Sequence, residues 1–326
     1  MSSPELNLNS DKHGAMLRVG RADRSGLQRS NIGNIVRCLC RVREVTLCSL
    51  VRTLVDHSYV QRRSLCSCCR KVTSQKIKTA MATGVLALQE HGLKEFPEEL
   101  FELINLRTLN LATNSLKLLP GEICRLTRLK TLRLDGNQLE AVHDLSPLSA
   151  LTDLSISGNR LNGVGALATL PPSLAKLALR DNRLGGVPLA LMGGAPNLQV
   201  LDLSANAIGR IPPLAEALPA LAELILDENV LRTLGDELLG LSRLKKLSAR
   251  SNRIAAVDPT TAKQSISEAL FTLSAVESLE LAGNLLEKNE LVAMAGVEVF
   301  LTRRKKHKNK NLQGGALLEL SVCGLD

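Results

Sequence analysis

The sequence predicts an α/β solenoid of about nine stacked units, curved, with a parallel β-sheet on its concave face and short helices or turns on its convex face. Three observations predict it. An eleven-residue phrase, "LKTLRLDGNQL" from Leu129, recurs along the chain, its copies lie at a nearly constant spacing, and each copy places an asparagine at the same distance behind a leucine-spaced segment. The other copies are "LRTLNLATNSL" from Leu106, "LTDLSISGNRL" from Leu151, "LAKLALRDNRL" from Leu174, "LQVLDLSANAI" from Leu198, "LAELILDENVL" from Leu221, "LKKLSARSNRI" from Leu244 and "VESLELAGNLL" from Val276. Their asparagines are Asn114, Asn137, Asn159, Asn182, Asn206, Asn229, Asn252 and Asn284, with successive gaps of 23, 22, 23, 24, 23, 23 and 32 residues. A ninth, degenerate copy, "VLALQEHGLKEFP", precedes them with His91 in the place of the asparagine.

The pattern L-x-x-L-x-L-x-x-N-x-L at this period is the leucine-rich repeat signature. In each unit the L-x-L pair points inward from a short strand. The asparagine follows where the chain turns off that strand and buried backbone groups lose their ladder partners. An amide both donates and accepts, so stacked asparagines can form a ladder that satisfies those groups. His91 is read as a substitute ladder residue. One unit alone cannot bury its leucines; nine units with strands about 4.8 Å apart form a continuous core about 40 Å long.

The elements follow in chain order. Residues 1–75 show no sustained period and carry 13 Lys and Arg against 5 acids. They read as a disordered extension or a mistranslated upstream segment. A transit peptide is disfavoured by those acids. The solenoid occupies residues 76–284. Its "FPEELFELINL" and "LPGEICRLTRL" stretches place a proline at the opening of a short helical turn, which tolerates it. The "AVHDLSPLSAL" and "GVGALATLPPSL" stretches lack that proline. In the long last gap Asp258 or Thr260 is the expected helix cap, with Ile266, Leu270 and Leu273 on one face. Over residues 285–310, Leu291, Met294, Val297 and Leu301 recur at helical spacing, predicting a helix that caps the core and ends in a basic cluster. Residues 311–326 read as a loose tail.

Composition bounds the function. The net charge of +9 belongs to the ends, because residues 303–310, "RRKKHKNK", hold six basic residues and no acid, whereas residues 76–302 carry 22 basic against 25 acidic residues. Six of the eight cysteines lie in residues 1–75, and no cysteine set flanks the far end of the array. That distribution favours a reducing, intracellular setting. No apolar run is long enough to cross a bilayer, and the polar opening "MSSPELNLNSDKHG" lacks the apolar core of a signal peptide.

No catalytic motif is present and the five histidines have no partnered nucleophile, so no enzyme activity and no cofactor are expected. Cys66 and Cys69 form a C-x-x-C that Cys38, Cys40 and His57 could complete as a zinc set, but the irregular spacing favours chance, and no metal is assigned. The x positions point outward from the strands, which makes them the candidate partner-binding surface. They include Arg133, Asp135, Asp153, Lys176, Arg180 and Asp202, continuing with Glu223, Ile225, Asp227, Glu228, Lys246 and Arg250. Among them Asp202, Glu223, Asp227 and Glu228 form an acidic cluster flanked by Arg180, Lys246 and Arg250. The absence of aromatic anchors on this face points to a polar, transient protein partner. Arg303, Arg304, Lys305, Lys306, Lys308 and Lys310 are candidates for contact with an anionic membrane surface. Nucleic acid is disfavoured, because the array has no basic face and no aromatic platform.

From about Ser74 to Gly315 the chain resembles the family of leucine-rich repeat-containing protein 57. The likeness is carried by "KTAMATGVLALQEHGLKEFPEEL", "NLRTLNLATNSLKLLPGEIC" and "LELAGNLLEKNELVAMAGVEVFLTRRKK". The chain departs from that family at Ala295 and Val297, where a glutamate and an aromatic are more usual. The resemblance implies a small intracellular protein of about nine repeats. Members of the family begin Met-Gly, open to N-myristoylation. Here "SCCRKVTSQKIK" stands in that place and lipidation is not carried over. The expected function is an intracellular, cytoplasmic, monomeric adaptor of the signal-transduction type that binds a protein through its concave face. Alternative readings are a regulatory subunit of a phosphatase or small-GTPase pathway, and a membrane-peripheral protein that uses the basic cluster.

Overall fold

The structure, a computed structural model, describes residues 67–311 and 323–325. Nine three-residue strands form one parallel sheet in strict sequence order. They are β1 (Val85–Ala87), β2 (Thr108–Asn110), β3 (Thr131–Arg133), β4 (Asp153–Ser155), β5 (Lys176–Ala178), β6 (Val200–Asp202), β7 (Glu223–Ile225), β8 (Lys246–Ser248) and β9 (Ser278–Glu280). Each strand is an x-L-x triplet whose central leucine is buried. The register pairs leucine with leucine throughout, from Leu86 opposite Leu109 to Leu247 opposite Leu279. A one-residue slip would turn every leucine toward solvent, so the hydrophobic pattern alone locks the register.

Behind each strand the chain turns sharply, and the residue before each ladder asparagine adopts a left-handed backbone. Three of these nine positions are glycines, Gly136, Gly158 and Gly283. The other six carry side chains: Glu90, Thr113, Asp181, Ala205, Glu228 and Ser251. A Cβ makes that conformation unfavourable, so six units hold mild strain against the bonds the turn makes possible.

On the convex side, single helical turns span Glu98–Glu102, Gly121–Arg125 and Asp236–Leu238, and the short helix α2 spans Leu189–Met192. Pro97, Pro120 and Pro188 sit one residue ahead of the first helical position in three of these. Their fixed φ directs the carbonyl that accepts the first turn's N–H, as in Leu100 N to Pro97 O at 3.1 Å. Where the proline is missing, the two adjacent units instead bridge in parallel, Val142 opposite Leu167.

Helix α1 (Ser67–Thr83) closes the first end of the array by burying Ile77 and Ala80 in the common core. It begins ahead of residue 76, so the boundary expected at residue 75 falls inside a helix. α1 stops at Gly84, whose positive φ lets its N–H reach Ala80 O at 2.8 Å.

The other end is closed by three helices, α3 (Glu268–Thr272), α4 (Lys288–Ala293) and α5 (Val297–Asn311). The expected cap of α3 is corrected: Ser267, whose Oγ accepts from Ala269 N, takes that role. Asp258 instead folds back on Thr260 and Thr261. Leu273 lies at the C-terminal cap and is exposed, while Phe271 takes the inward position against Phe300 at a ring-centroid distance of 5.9 Å. The single capping helix of the sequence reading is two, broken at Met294–Gly296, and Leu291, Met294 and Val297 are all buried. Gly296 has φ +83°, and a Cβ there would lie 3.0 Å from Glu268 Cγ and from Thr272 Cγ2. Among residues 311–326, Cys323 returns to the array, accepting Leu281 N at 2.8 Å with its side chain buried.

Candidate interaction surface

The asparagines set the geometry of the surface, because they fix each strand against the next. In all eight units Nδ2 donates to a main-chain carbonyl of the preceding unit, at 2.7–3.0 Å, and also to the unit's own carbonyls. Oδ1 accepts a main-chain N–H of the preceding unit at 2.9–3.1 Å. Asn114, Asn137, Asn159, Asn182, Asn229 and Asn252 are buried, and Asn206 and Asn284 are partly so. His91 makes a thinner substitute. Its Nδ1 lies 2.6 Å from Gln89 O and its Nε2 lies 3.1 Å from Lys76 Nζ.

The outward side chains of the strands then fall on one face. Their charges are largely taken up by one another. Arg180 pairs with Glu228 at 3.3 Å across two units, Lys246 with Glu223 at 3.8 Å and Arg250 with Glu280 at 3.2 Å. Asp227 Oδ1 accepts Ser248 Oγ at 2.6 Å and Arg250 N at 2.8 Å. Asp135 accepts Ser155 Oγ and the main-chain N–H of Ser157, and Asp202 does the same for Ser204. Asp153 accepts Thr152 Oγ1 at 2.7 Å. The four acids read as a cluster therefore do not act as a free acidic patch. Glu223 and Glu228 are in ion pairs, Asp202 is bound into the turn behind its own strand, and Asp227 is bound to Ser248 and Arg250 of the next unit. Arg133 and Lys176 remain exposed without an ion pair among the described residues. A shallow depression lies over β7–β9, its outward lining made by Glu223, Ile225, Asp227, Lys246, Arg250 and Glu280.

The basic end is corrected more strongly. Arg303 donates Nη1 to Ser274 O at 2.6 Å and Val276 O at 2.9 Å, and Nη2 to Phe271 O at 2.5 Å and, longer, to Thr272 O at 3.4 Å. It therefore closes the carbonyl end of α3. Burial pushes its pKa down and nearby Glu277 opposes that, but a guanidinium remains charged at any relevant pH. Arg304 is buried, with Nη1 3.8 Å from Cys323 Sγ. Neither arginine can meet a membrane, because both side chains are consumed in the fold. Lys305 and Lys306 are exposed, and the side chains of Lys308 and Lys310 lie outside the described residues. So do the side chain of Cys69 and the whole of Cys38, Cys40, His57 and Cys66. Burial pushes the Cys323 thiol up to about 12, so it stays protonated at neutral pH.

Nine sequential parallel strands, eight of their L-x-L units closed by a ladder asparagine and the first by His91, settle the architecture. The array is a leucine-rich repeat solenoid. The family model described as "Leucine rich repeat" matches residues 85–139. Podocan of Mus musculus is 32% identical over 214 residues, covering 63% of this chain and 34% of podocan. Leucine-rich repeat-containing protein 58 of Mus musculus is 33% identical over 116 residues, covering 36% of this chain and 25% of that protein. The chain thus spans about a third or less of the length of these relatives. Internalin C2 of Listeria monocytogenes, a solved structure, is 26% identical with a TM-score of 0.49, over 69% of this chain and 89% of that one. No helix among the described residues of this solenoid is long and apolar enough to cross a membrane.

Proposed function

We propose that this protein is a non-enzymatic intracellular adaptor that receives a polar segment of another protein on its concave strand face, around the depression over β7–β9. Leucine-rich repeat proteins generally mediate protein–protein interaction, which supports the coarse reading. The observation that carries the finer one is the half-buried Ile225 set between the Glu223–Lys246 and Arg250–Glu280 pairs. A small apolar centre with a rim of exchangeable ion pairs suits a transient partner, since exposed pairs contribute little and open at little cost. The resemblance to the family of leucine-rich repeat-containing protein 57 supports the intracellular setting.

Affinity capture from the protein's own cells tests this, comparing the native chain with an Ile225→Asp, Lys246→Glu variant. Loss of a reproducible partner in the variant, with an unchanged circular dichroism spectrum, supports the strand face. An unchanged set of partners rejects it. The membrane-peripheral reading loses Arg303 and Arg304 and rests on Lys305, Lys306, Lys308 and Lys310, and the regulatory-subunit reading loses the free acidic cluster on which it rested.

A further inference from the structure

Beyond the strand face, a second surface has uncompensated charge. After each ladder asparagine the chain runs along one flank toward the convex side. Main-chain bonds hold successive flank segments side by side, as in Arg160 N to Leu139 O and Arg183 N to Leu161 O at 2.9 Å, and Arg253 N to Leu231 O at 2.8 Å. Five consecutive units each place one arginine along this flank: Arg160, Arg183 and Arg253 directly after the ladder asparagine, Arg232 three residues after it and Arg210 four. All five are exposed, and none has an ion pair among the described residues. The segments 160–164, 183–187, 207–211, 230–234 and 253–257 contain no acid. The neighbouring acids are engaged or turned away, except Glu140, which stands exposed beside Leu139 at the first edge of the strip. Asp236 accepts Ser267 Oγ, Glu237 accepts Gly235 N, and Asp258 accepts Thr260 and Thr261. Asp181 points toward the Gly158 turn of the previous unit.

We propose that this flank docks an extended acidic peptide segment of a partner protein. The strip spans four unit intervals, about 19 Å at about 4.8 Å each. Six or so extended residues cover that length, with alternate side chains about 6.6 Å apart facing it. Guanidinium forks match carboxylates in bidentate geometry. The ground between the arginines is low. Gly185 has open space above it and Gly209 meets only Val230 at its edge, so a peptide backbone can lie close. Single-stranded nucleic acid is a poorer fit, because Phe96, Phe101, Phe271 and Phe300 all lie off the strip and its five segments contain no aromatic residue to serve as a stacking platform. A membrane is also a poorer fit, because Leu161, Leu184, Ile208, Leu231 and Ile254 of these segments are fully buried.

Fluorescence anisotropy of a labelled peptide of about eight alternating Glu and Ser residues tests the strip on the full chain. The expected result is salt-sensitive binding that falls at least about tenfold in an Arg160→Ser, Arg183→Ser, Arg253→Ser variant. An Arg133→Ser, Lys176→Ser control on the strand face should stay within about twofold. If the serine variant misfolds, the corresponding triple Arg→Lys variant keeps the charge and loses the fork, and should weaken binding several-fold. The proposal is overturned if the peptide does not bind, or if strip and control variants lose binding equally. It is also overturned if polyuridine or phosphatidylserine vesicles bind the strip more tightly than the peptide does.

Discussion

The two ends of the solenoid solve the same problem with very different means. At the first end one helix lays two small apolar residues, Ile77 and Ala80, over the core, and Lys76 reaches the free edge of β1 through Ala87 O at 3.2 Å. At the other end three helices bury Phe271, Leu291 and Phe300, and a single guanidinium ties α5 to the carbonyls that end α3. The first end has no ladder asparagine; the last has Asn284. In a repeat array each unit is stabilised mainly by its neighbours, so the end with the thinner cover should open first. Amide hydrogen exchange of β1 and β2 is expected to outpace that of β8 and β9, and the reverse order would refute the comparison.

The largest single loss should come from the second end. Arg303→Leu leaves carbonyls at the end of α3 without a donor and should cost about 3 kcal/mol in urea unfolding, concentrated in the exchange of β9. Gly296→Ala adds a Cβ where the backbone is left-handed and Glu268 and Thr272 stand close, and should cost about 2 kcal/mol. Its neighbour Ala295, exposed, should tolerate substitution. At the first end Ile77→Ala should cost about 1.5 kcal/mol, because the site is a helix edge that can relax. If Ile77→Ala exceeds Arg303→Leu, the ranking of the two ends is wrong.

Acid should also act mainly away from the first end. Thr260 and Thr261 hydrogen-bond the Asp258 carboxylate and hold its pKa below the ordinary range; the main-chain N–H of Ser146 does so most strongly for Asp144. A depressed folded pKa gives stability that is present above the unfolded value, about 4, and is lost as pH falls through the lower folded one. The urea midpoint should therefore drop between about pH 5 and pH 3, and Asp258→Asn should flatten part of that slope. The smallest effect is a gain. His91→Asn should restore an amide to the first turn and stabilise that end by up to about 1 kcal/mol, read as slower exchange at Leu86 and Leu88.

Much of the fold was legible because the leucine spacing and the turn asparagine repeat with a period that tertiary context cannot disguise. What was not legible is instructive. In the part of α1 whose side chains are described, only Ile77 and Ala80 are buried while the apolar Met81 and Ala82 face outward, so no helical stripe announces it. The left-handed position before each asparagine is glycine in only three of nine units, so composition does not mark it. Alternation assigns Glu223, Asp227 and Arg250 to a face but not their partners, because pairing depends on reach across units. Arg303 read as part of a basic run, and its four carbonyl contacts come from residues about thirty positions earlier.

Every internal boundary between units presents the same pair of amide contacts, because each ladder asparagine bonds both its own turn and the one before it. A gene segment encoding one whole unit can therefore be duplicated or lost within the array and leave joints that still fit. A deletion of one or two residues would put the amide out of step with the carbonyl it serves. Length is thus the freely adjustable property of this molecule, while its two termini, each built once and unlike the other, mark where copying must stop.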